Sequence, residues 1–553
     1  MFFAFTYEIS GVNEMKHLVN NKNQKIQQQL ALGYALQDKG KVDEAIAKYN
    51  GVLKVDGKNL LARLNKSVCL LKKGQMNEAL PELHNLYLEN PDNLKIIKLC
   101  GAGYARSGHN ETALKFLKKA LQIEPDEYEN WIDITMVCAS LQMHRESMYY
   151  ATQALSLNPT DSRGHNNLGG ALLAHGKVKE AIMCFETCLI LEPNNLTALS
   201  NLATACQNTG QAQRALEIYE SILRTPSLPP SQKTETLYKL SFTNLSLGNL
   251  EKGWELYDYG LQVIDSRARI PRRKFDKPMW NGQKQANKTV LIWREQGLGD
   301  ELRFFGLIDE ALPFFEKVII ECDVRLVKLL QRAFPTTEVR QQMFISKADG
   351  CYPLYEDFDF HIPAGSLMRI FRKELKDFDR AKPYLIADEA LRSDFRNRLN
   401  AISKKPKIGV SWRSGVVNAE RAAYYTPVTE WGAIFAKNQY EFINLQYEHN
   451  PSELEAAEKA FGIQIHNWAD VDLKNDLDSV VALMAELDLV ISAPTSVCSL
   501  AEAVGTPVKF FYPGGWILLG TNRYPWFPNT DVYMFDESEG IGQALNDIAN
   551  DLP

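Results

Sequence analysis

"LCGAGYARSGHNETALKFLKKALQIEPDE", Leu99 to Glu127, holds one unit of a pattern that returns every 34 residues. Its Gly108 has counterparts at Gly40, Gly74, Gly176 and Gly210, with Gln142 the one departure. Ala113 stands on a second ladder with Ala45, Ala79, Ala181 and Ala215, where Ser147 is the small substitute. Pro125 stands on a third with Pro91, Pro159 and Pro193, preceded by Gly57 and followed by Ser227. Each ladder has a physical cause. A small residue lets the second helix of a unit lie close to the first, glycine permits the turn between them, and proline after the second helix forbids its continuation. Tyr49, Leu83, Leu117, Phe185 and Tyr219 fill the space between stacked pairs. The spacing predicts six units from about Ile26 to Ser227, then a looser seventh from about Lys233 to Gly260, reached across "TPSLPPSQ".

The unit resembles the tetratricopeptide repeat, with Gly101, Tyr104, Ala113, Leu117, Ala120 and Pro125 at that family's positions. A stack of helical pairs carries no chemistry of its own, and its concave face binds peptides or protein surfaces. His165, Asn166, Asn167 and Asn201 fall on first helices. They either grip a peptide backbone in that groove or form a solvated face.

After Tyr259 the period is lost. "DSRARIPRRKFDKPMW", with Pro271 and Pro278, reads as a basic, solvated connector. Beyond it, short β-branched runs alternate with helical stretches. Strands are predicted at "TVLIW" from Thr289, "KVIIEC" from Lys317, "DFDFHIP" from Asp357, "KIGVSW" from Lys407, "EFINLQ" from Glu441, "DLVISA" from Asp488 and "VKFFYP" from Val508. Helices fill the gaps, as in "DVRLVKLLQRAF" and "SVVALMAEL". Such alternation implies parallel sheets covered on both faces. The pattern restarts near Pro406, so two Rossmann-like lobes are predicted, with ligands at the carboxyl ends of strands. The resulting division is an N-terminal segment 1–25, a helical array 26–260, a linker 261–287, a first lobe 288–405 and a second lobe 406–553.

The totals agree with a multidomain globular chain. Its 553 residues are 45% apolar and 24% charged. A net charge of -6 argues against binding dominated by nucleic-acid phosphates. Nine cysteines are scattered without a CxxC pair, so neither a zinc knuckle nor a disulfide framework is indicated. Cys184 and Cys188 read as two core thiols. "MFFAFTYEISGVNEMK" carries Glu8 and lacks a basic leader and a cleavage site, so it is not read as a signal peptide. "FFYPGGWILLG" from Phe510 is too short and too rich in Gly and Pro to span a bilayer. A cytoplasmic protein with reduced thiols is expected.

The loops after the predicted strands hold the polar motifs. In "VLIWREQGLGDELRF", Val290 to Phe304, Gly297 and Gly299 follow a strand and open a helix, which is only part of a dinucleotide fingerprint. Asp300 can serve as a helix N-cap. Arg303 follows three residues later in place of Glu or Gln, so the reciprocal capping box is absent and the carboxylate is available for other work. Ser411, Trp412 and Arg413 follow another strand, with Arg421 in the same loop; Asn444 and Gln446 end the next. In "SAPTSVCSLAEAVG", Thr495 and Ser496 stand at a helix amino end behind Pro494, where they either cap the helix or face a phosphate. His361, before Pro363 and Gly365, either lines the cleft or is structural.

Taken together, "QGLGDELRF", "HIPAGSL", "GVSWRSG", "INLQY" and "ISAPTSVCSLAEAVGTPV" resemble the glycosyltransferase half of bacterial proteins in which tetratricopeptide repeats precede a two-lobed GT-B domain. The resemblance covers Lys288 to Pro553. The same architecture occurs in O-GlcNAc transferase and in flagellin glycosyltransferases, and the opening loop is similar to the Gly-Asp loop of lipopolysaccharide heptosyltransferases. The implied fold is an all-α tetratricopeptide superhelix followed by an α/β GT-B domain. The implied activity is inverting, metal-independent transfer of a sugar from a CMP- or UDP-linked donor to a Ser or Thr hydroxyl of a protein such as flagellin, held by the repeats. On that resemblance Asp300 is the base and His361 a second catalytic candidate. Gln296, Gly297 and Gly299 face the acceptor, and Ser411, Trp412, Arg413, Arg421, Asn444, Gln446, Pro494, Thr495 and Ser496 meet the donor. No cofactor beyond the co-substrate is expected, and no essential cation, since no Asp-X-Asp signature stands in a suitable loop; nor is a nucleic-acid partner, while self-association is left open. Heptosyltransferases carry Asp, Thr, Gly and then His where this chain has Pro494, Thr495, Ser496 and Ser499, which speaks against a heptose donor. The catalytic His of O-GlcNAc transferase has no clear counterpart. The rival reading is a scaffold whose transferase-like half is inactive; a dinucleotide-dependent oxidoreductase is the third.

Overall fold

The computed structural model describes residues 5–263, 269, 272–347, 350–415, 424–448, 451–535 and 540–552, the side chains of 5–21 excepted. It forms two compact units, Met1–Pro193 and Asn194–Pro553.

The first unit is a run of antiparallel helical pairs: α1 (Phe5–Asp38) with α2 (Val42–Val55), α3 (Leu60–Lys72) with α4 (Met76–Glu89), α5 (Leu94–Arg106) with α6 (Asn110–Ile123), α7 (Tyr128–Ser140) with α8 (His144–Leu157), and α9 (Ser162–Ala174) with α10 (Val178–Leu191). The glycine ladder sits at the turns, all left-handed, with φ of 73° at Gly40, 75° at Gly74, 79° at Gly108 and 83° at Gly176. Gln142 adopts the same conformation at φ 58°. The turn survives that exception at a cost of about 1 kcal/mol. The close packing of each pair needs a second small ladder: a Cβ on Gly33 would lie 2.6 Å from Tyr49, one on Gly101 2.8 Å from Leu117 and one on Gly169 2.6 Å from Phe185. The large fillers therefore fit because glycine faces them. Asn59, Asn93 and Asp161 cap first helices through their side chains.

The second unit opens with two further pairs, α11 (Leu196–Asn208) with α12 (Ala212–Leu223) and α13 (Pro230–Ser246) with α14 (Leu250–Tyr257). Two parallel sheets follow. The first has the order β3-β2-β1-β6, from β1 (Gln285–Trp293), β2 (Phe315–Cys322), β3 (Glu338–Gln341) and β6 (Phe360–Pro363). A hairpin of β4 (Phe344–Lys347) and β5 (Gly350–Pro353) stands apart from it. The second has the order β12-β11-β10-β7-β8-β9, from β7 (Lys407–Ser411), β8 (Glu441–Asn444), β9 (Ile465–His466), β10 (Leu489–Ser492), β11 (Val508–Tyr512) and β12 (Thr530–Met534). The helices used below are α15 (Leu298–Phe305), α16 (Val327–Ala333), α17 (Glu389–Ile402), α18 (Leu477–Met484) and α19 (Ser496–Val504). The chain is thus a tetratricopeptide-type array followed by Rossmann-like α/β lobes. Chain order reverses between β1 and β6 in one sheet and between β7 and β10 in the other, and crevices open at such points. The strands that the composition did not announce are β3, β4, β5, β9 and β12, all short and either polar or at a sheet margin, where one buried face no longer imposes a pattern.

The periodicity ends near Gly260, but the packing does not divide there. Tyr238, Trp254 and Tyr257 of the last pair share one core with Val290, Ile292, Phe304 and Trp526. Trp254 meets Trp526 edge-on at 6.1 Å.

The stretch after the array is not wholly a solvated connector, since two of its described arginines are buried. Arg269 is fully buried and paired with Glu295 through both ends of its guanidinium, and also with Asp258 at 2.7 Å. The Arg273 side chain is buried beside Glu321 at 2.7 Å and lies over Phe275 and Trp293. Trp280 is wholly buried, and its amide donates to the carbonyl of His361. The positive charge is there because Glu295 and Glu321 are buried at the carboxyl edge of the first sheet, and an unpaired buried carboxylate is costly.

Candidate functional site

A cavity of about 550 Å³ opens where the two sheets present their carboxyl ends. From the first lobe it receives Gly297, Leu298, Gly299, Asp300 and Arg303; from the second, Pro494 to Leu500. Both groups sit on strand-to-helix turns. After β1 the chain passes Gln296, left-handed at φ 59°, and enters α15 through Gly297. After β10 it passes Pro494 and enters α19 through Thr495. The turns touch: a Cβ on Gly299 would lie 3.3 Å from the Ser499 hydroxyl and 3.7 Å from the Ser496 Cα. Glycine at that position leaves room for the close approach of two helix amino ends.

Asp300 is not the cap of its helix. Gly297 holds the capping position, and no side chain caps α15. Asp300 lies in the first turn with Oδ1 accepting from Arg303 Nη1 at 3.0 Å. Its side chain is 37% exposed and lines the cavity. Thr495, by contrast, does cap: its hydroxyl accepts from the Val497 amide at 3.2 Å. Ser496 follows as the first residue of α19, where amides and helix dipole favour an anion.

Other sequence candidates lie elsewhere. His361 is not in the cleft; it stacks on Phe275 at 3.8 Å and its Nδ1 accepts from the Trp293 indole at 3.2 Å. Burial, with Arg273 nearby, pushes its pKa down to about 4, so it is neutral and structural in this setting. Arg413 is turned away as well, its guanidinium forked onto Glu453 at 3.0 and 2.9 Å and onto the Glu448 carbonyl at 3.1 Å. Gln446 is wholly buried and its Oε1 accepts from the amides of Trp412 and Arg413 at 3.0 and 2.9 Å, so it fixes the end of β7. Asn444 accepts from the Gln446 amide and donates to Asn467, both at 2.9 Å. Ser411 and Trp412 are buried with them. These polar residues organise the turn and do not line the cavity; their neighbour Ser414 does. Gln296 reaches the Tyr238 hydroxyl at 3.4 Å. Arg421 lies outside the described residues. Asn166 and Asn167 are half-buried on α9, and Asn201 is half-buried on α11 beside a small polar cleft with Ser200 and Lys239.

Sequence reading passed over a second set of cavity residues: Arg303, Arg325, Lys474, Tyr424, Glu502 and Tyr524. Arg325 is braced by Asp323 and donates to the Lys474 carbonyl at 3.1 Å, bridging the lobes. Glu502 is 3% exposed and accepts from the Tyr524 hydroxyl at 3.3 Å. Burial raises its pKa to about 7 against the pull of Arg303, Tyr524 and Thr530. Nothing local marks these residues, because Tyr524 is 221 positions from Arg303.

Comparison with known proteins bears on the two halves differently. The family profile of the tetratricopeptide repeat matches residues 30–93. The helical array is a run of tetratricopeptide repeats. Over most of its length the chain is similar to Protein FlbA of Caulobacter vibrioides, 29% identical over 517 residues, which are 91% of this chain and 85% of that protein. It is also 24% identical over 176 residues to the human Protein O-mannosyl-transferase TMTC1, covering 31% of this chain and 20% of that protein. Among solved structures, a tetratricopeptide repeat protein from Parabacteroides merdae is 16% identical and covers 44% of this chain and 94% of its own, with a TM-score of 0.38. No helix among the described residues is long and apolar enough to cross a membrane.

Proposed function

We propose that the chain is a two-lobed, GT-B-type glycosyltransferase that moves a sugar from a nucleotide donor to a hydroxyl of a protein brought by the repeats. The observation that carries this is the meeting of Asp300 with the amino end of α19 across one cavity. In this reading Thr495, Ser496 and the first amides of α19 take the donor phosphate, while Asp300 takes the proton of the acceptor hydroxyl as it attacks the anomeric carbon, which inverts that centre. The acceptor is a Ser or Thr side chain, with flagellin the acceptor that the resemblance names, and CMP- and UDP-linked sugars lead as donors. The charge on the departing nucleotide is met by α19 without a metal ion. Supporting that is the occupation of the Asp-X-Asp strings nearest the cleft: Asp472 accepts the amides of Lys474 and Asn475, Asp476 caps α18, and Asp478 is forked by Arg332. The similarity to a protein O-mannosyl-transferase is in keeping with a protein acceptor, although the repeats alone are long enough to account for the length matched.

A thermal-shift panel of UDP, GDP, ADP, CDP and CMP with their sugars tests the reading. A ligand at about a hundredfold its Kd adds roughly 2.7 kcal/mol. One nucleotide raises the midpoint, Ser496→Asp abolishes the rise, and Arg413→Ala retains it. If no nucleotide raises the midpoint, the inactive scaffold becomes the leading interpretation.

A further inference from the structure

The link between Asp300 and Arg303 spans one helical turn, and on most helices such a pair is solvated and contributes little. Here it is built in. The Arg303 side chain is 12% exposed. Its Nε donates to the Tyr524 hydroxyl at 3.2 Å, and that hydroxyl donates onward to Glu502 at 3.3 Å. Its guanidinium lies 5.0 Å from the centre of the Trp526 ring, which is itself wedged against Phe304, Phe378 and Trp254. Burial would lower the Arg303 pKa, but Tyr524, Asp300 and Glu502 together hold it above its ordinary value. A guanidinium held by Tyr524 and Trp526 of the segment after β11 therefore fixes one oxygen of Asp300. The other oxygen accepts no hydrogen bond among the described residues.

We infer that Arg303 is a positioning residue, braced by Tyr524 and Trp526, that holds Asp300 by Oδ1 and leaves Oδ2 turned to the acceptor hydroxyl. This rests on the reading of Asp300 as the base. It adds that the base, carried by the first lobe, is aimed by side chains from the second, so that its direction depends on the lobes being together. Arginine is required because its rigid fork serves Asp300 and Tyr524 at once, which an ammonium on a flexible stem does not reproduce.

The test measures release of nucleotide from UDP-, GDP-, ADP- and CMP-linked sugars by the full chain, with flagellin added as the acceptor and water as the alternative acceptor, in wild type, Asp300→Asn, Arg303→Met, Arg303→Lys and Tyr524→Phe. The expected result is a kcat about 10²-fold lower in Arg303→Met, with KM and the nucleotide-induced thermal shift unchanged, since misplacing a reacting group by about 1 Å has that effect. Arg303→Lys falls between wild type and Arg303→Met, and Tyr524→Phe loses less but in the same parameter. The inference is overturned if Asp300→Asn loses turnover while the Arg303 variants keep it, or if kcat, KM and nucleotide binding decline together with the melting temperature. If Asp300→Asn turns over as fast as wild type, or if wild type turns over none of the sugars, the reading of Asp300 fails and the positioning role fails with it.

Discussion

The two turns that meet in the cavity have the same plan and opposite supports. Each leads from a parallel strand into a helix whose amino end faces the opening. The turn after β10 is held locally: Thr495 caps α19 two residues away, and Gly505 closes the helix in the left-handed conformation. The turn after β1 has no local cap and a left-handed Gln296. It is held from a distance, by Glu295, which accepts from the Gly365 amide at 2.7 Å and from the buried guanidinium of Arg269. A helix start supported by its own hydroxyl is independent of its surroundings. One supported by Arg269, Gly365 and Arg303 has its geometry set by the last repeat pair and by both lobes. The difference leaves Asp300 with no capping duty.

That contrast can be broken by substitution. The largest effect is expected from Asp300→Asn, with transfer lowered by about 10²–10⁴-fold and nucleotide-induced stabilisation retained; equal activity in an assay of sugar transfer would remove the distinction between the turns. Next comes Glu295→Ala, which strands Arg269 and should cost about 3–5 kcal/mol by denaturant unfolding. Thr495→Ala should cost only about 1 kcal/mol in the same measurement, because it removes a single cap. If the two losses are equal, the first turn is not supported from a distance. Between them in size is the effect of pH on Glu502. Its raised pKa means that the folded protein keeps the proton above pH 4.5, where the unfolded chain gives it up. The stability from this group is therefore full below about pH 4.5 and lost as the pH rises through 7. Glu502→Gln should flatten that slope and gain about 3 kcal/mol relative to wild type on going from pH 4.5 to pH 8.

How much of this was legible in the chain follows from how far apart the partners are. The repeats could be read because each unit packs on its neighbour, so the demand for a small residue at Gly33, Gly101 and Gly169 recurs at a fixed spacing. The strands flanking the cavity could be read because both faces of a parallel sheet are buried and show as apolar runs such as Val290 to Trp293. The turns could be located for the same reason. Their charged residues could not be assigned: Arg413 follows a strand and Arg303 lies on the helix after one, yet the first is spent on Glu453 and the second faces the cavity. His361 looks the same in the chain whether it lines a cleft or lies under Phe275. The basic run near Arg269 resembles any solvated linker until Glu295 and Glu321 are seen to be buried beside it.

By itself, then, the sequence determined the helical array, its turns, the two α/β lobes and the strand ends at which polar residues gather. These rest on periodic burial and on backbone conformations that only a few residue types adopt freely. Tertiary structure decided which charges are consumed by the fold and which remain for chemistry. A charge finds its partner through space, and Arg303 with Tyr524, Arg269 with Glu295, and Gly299 with Ser499 are brought together only when the chain has closed on itself.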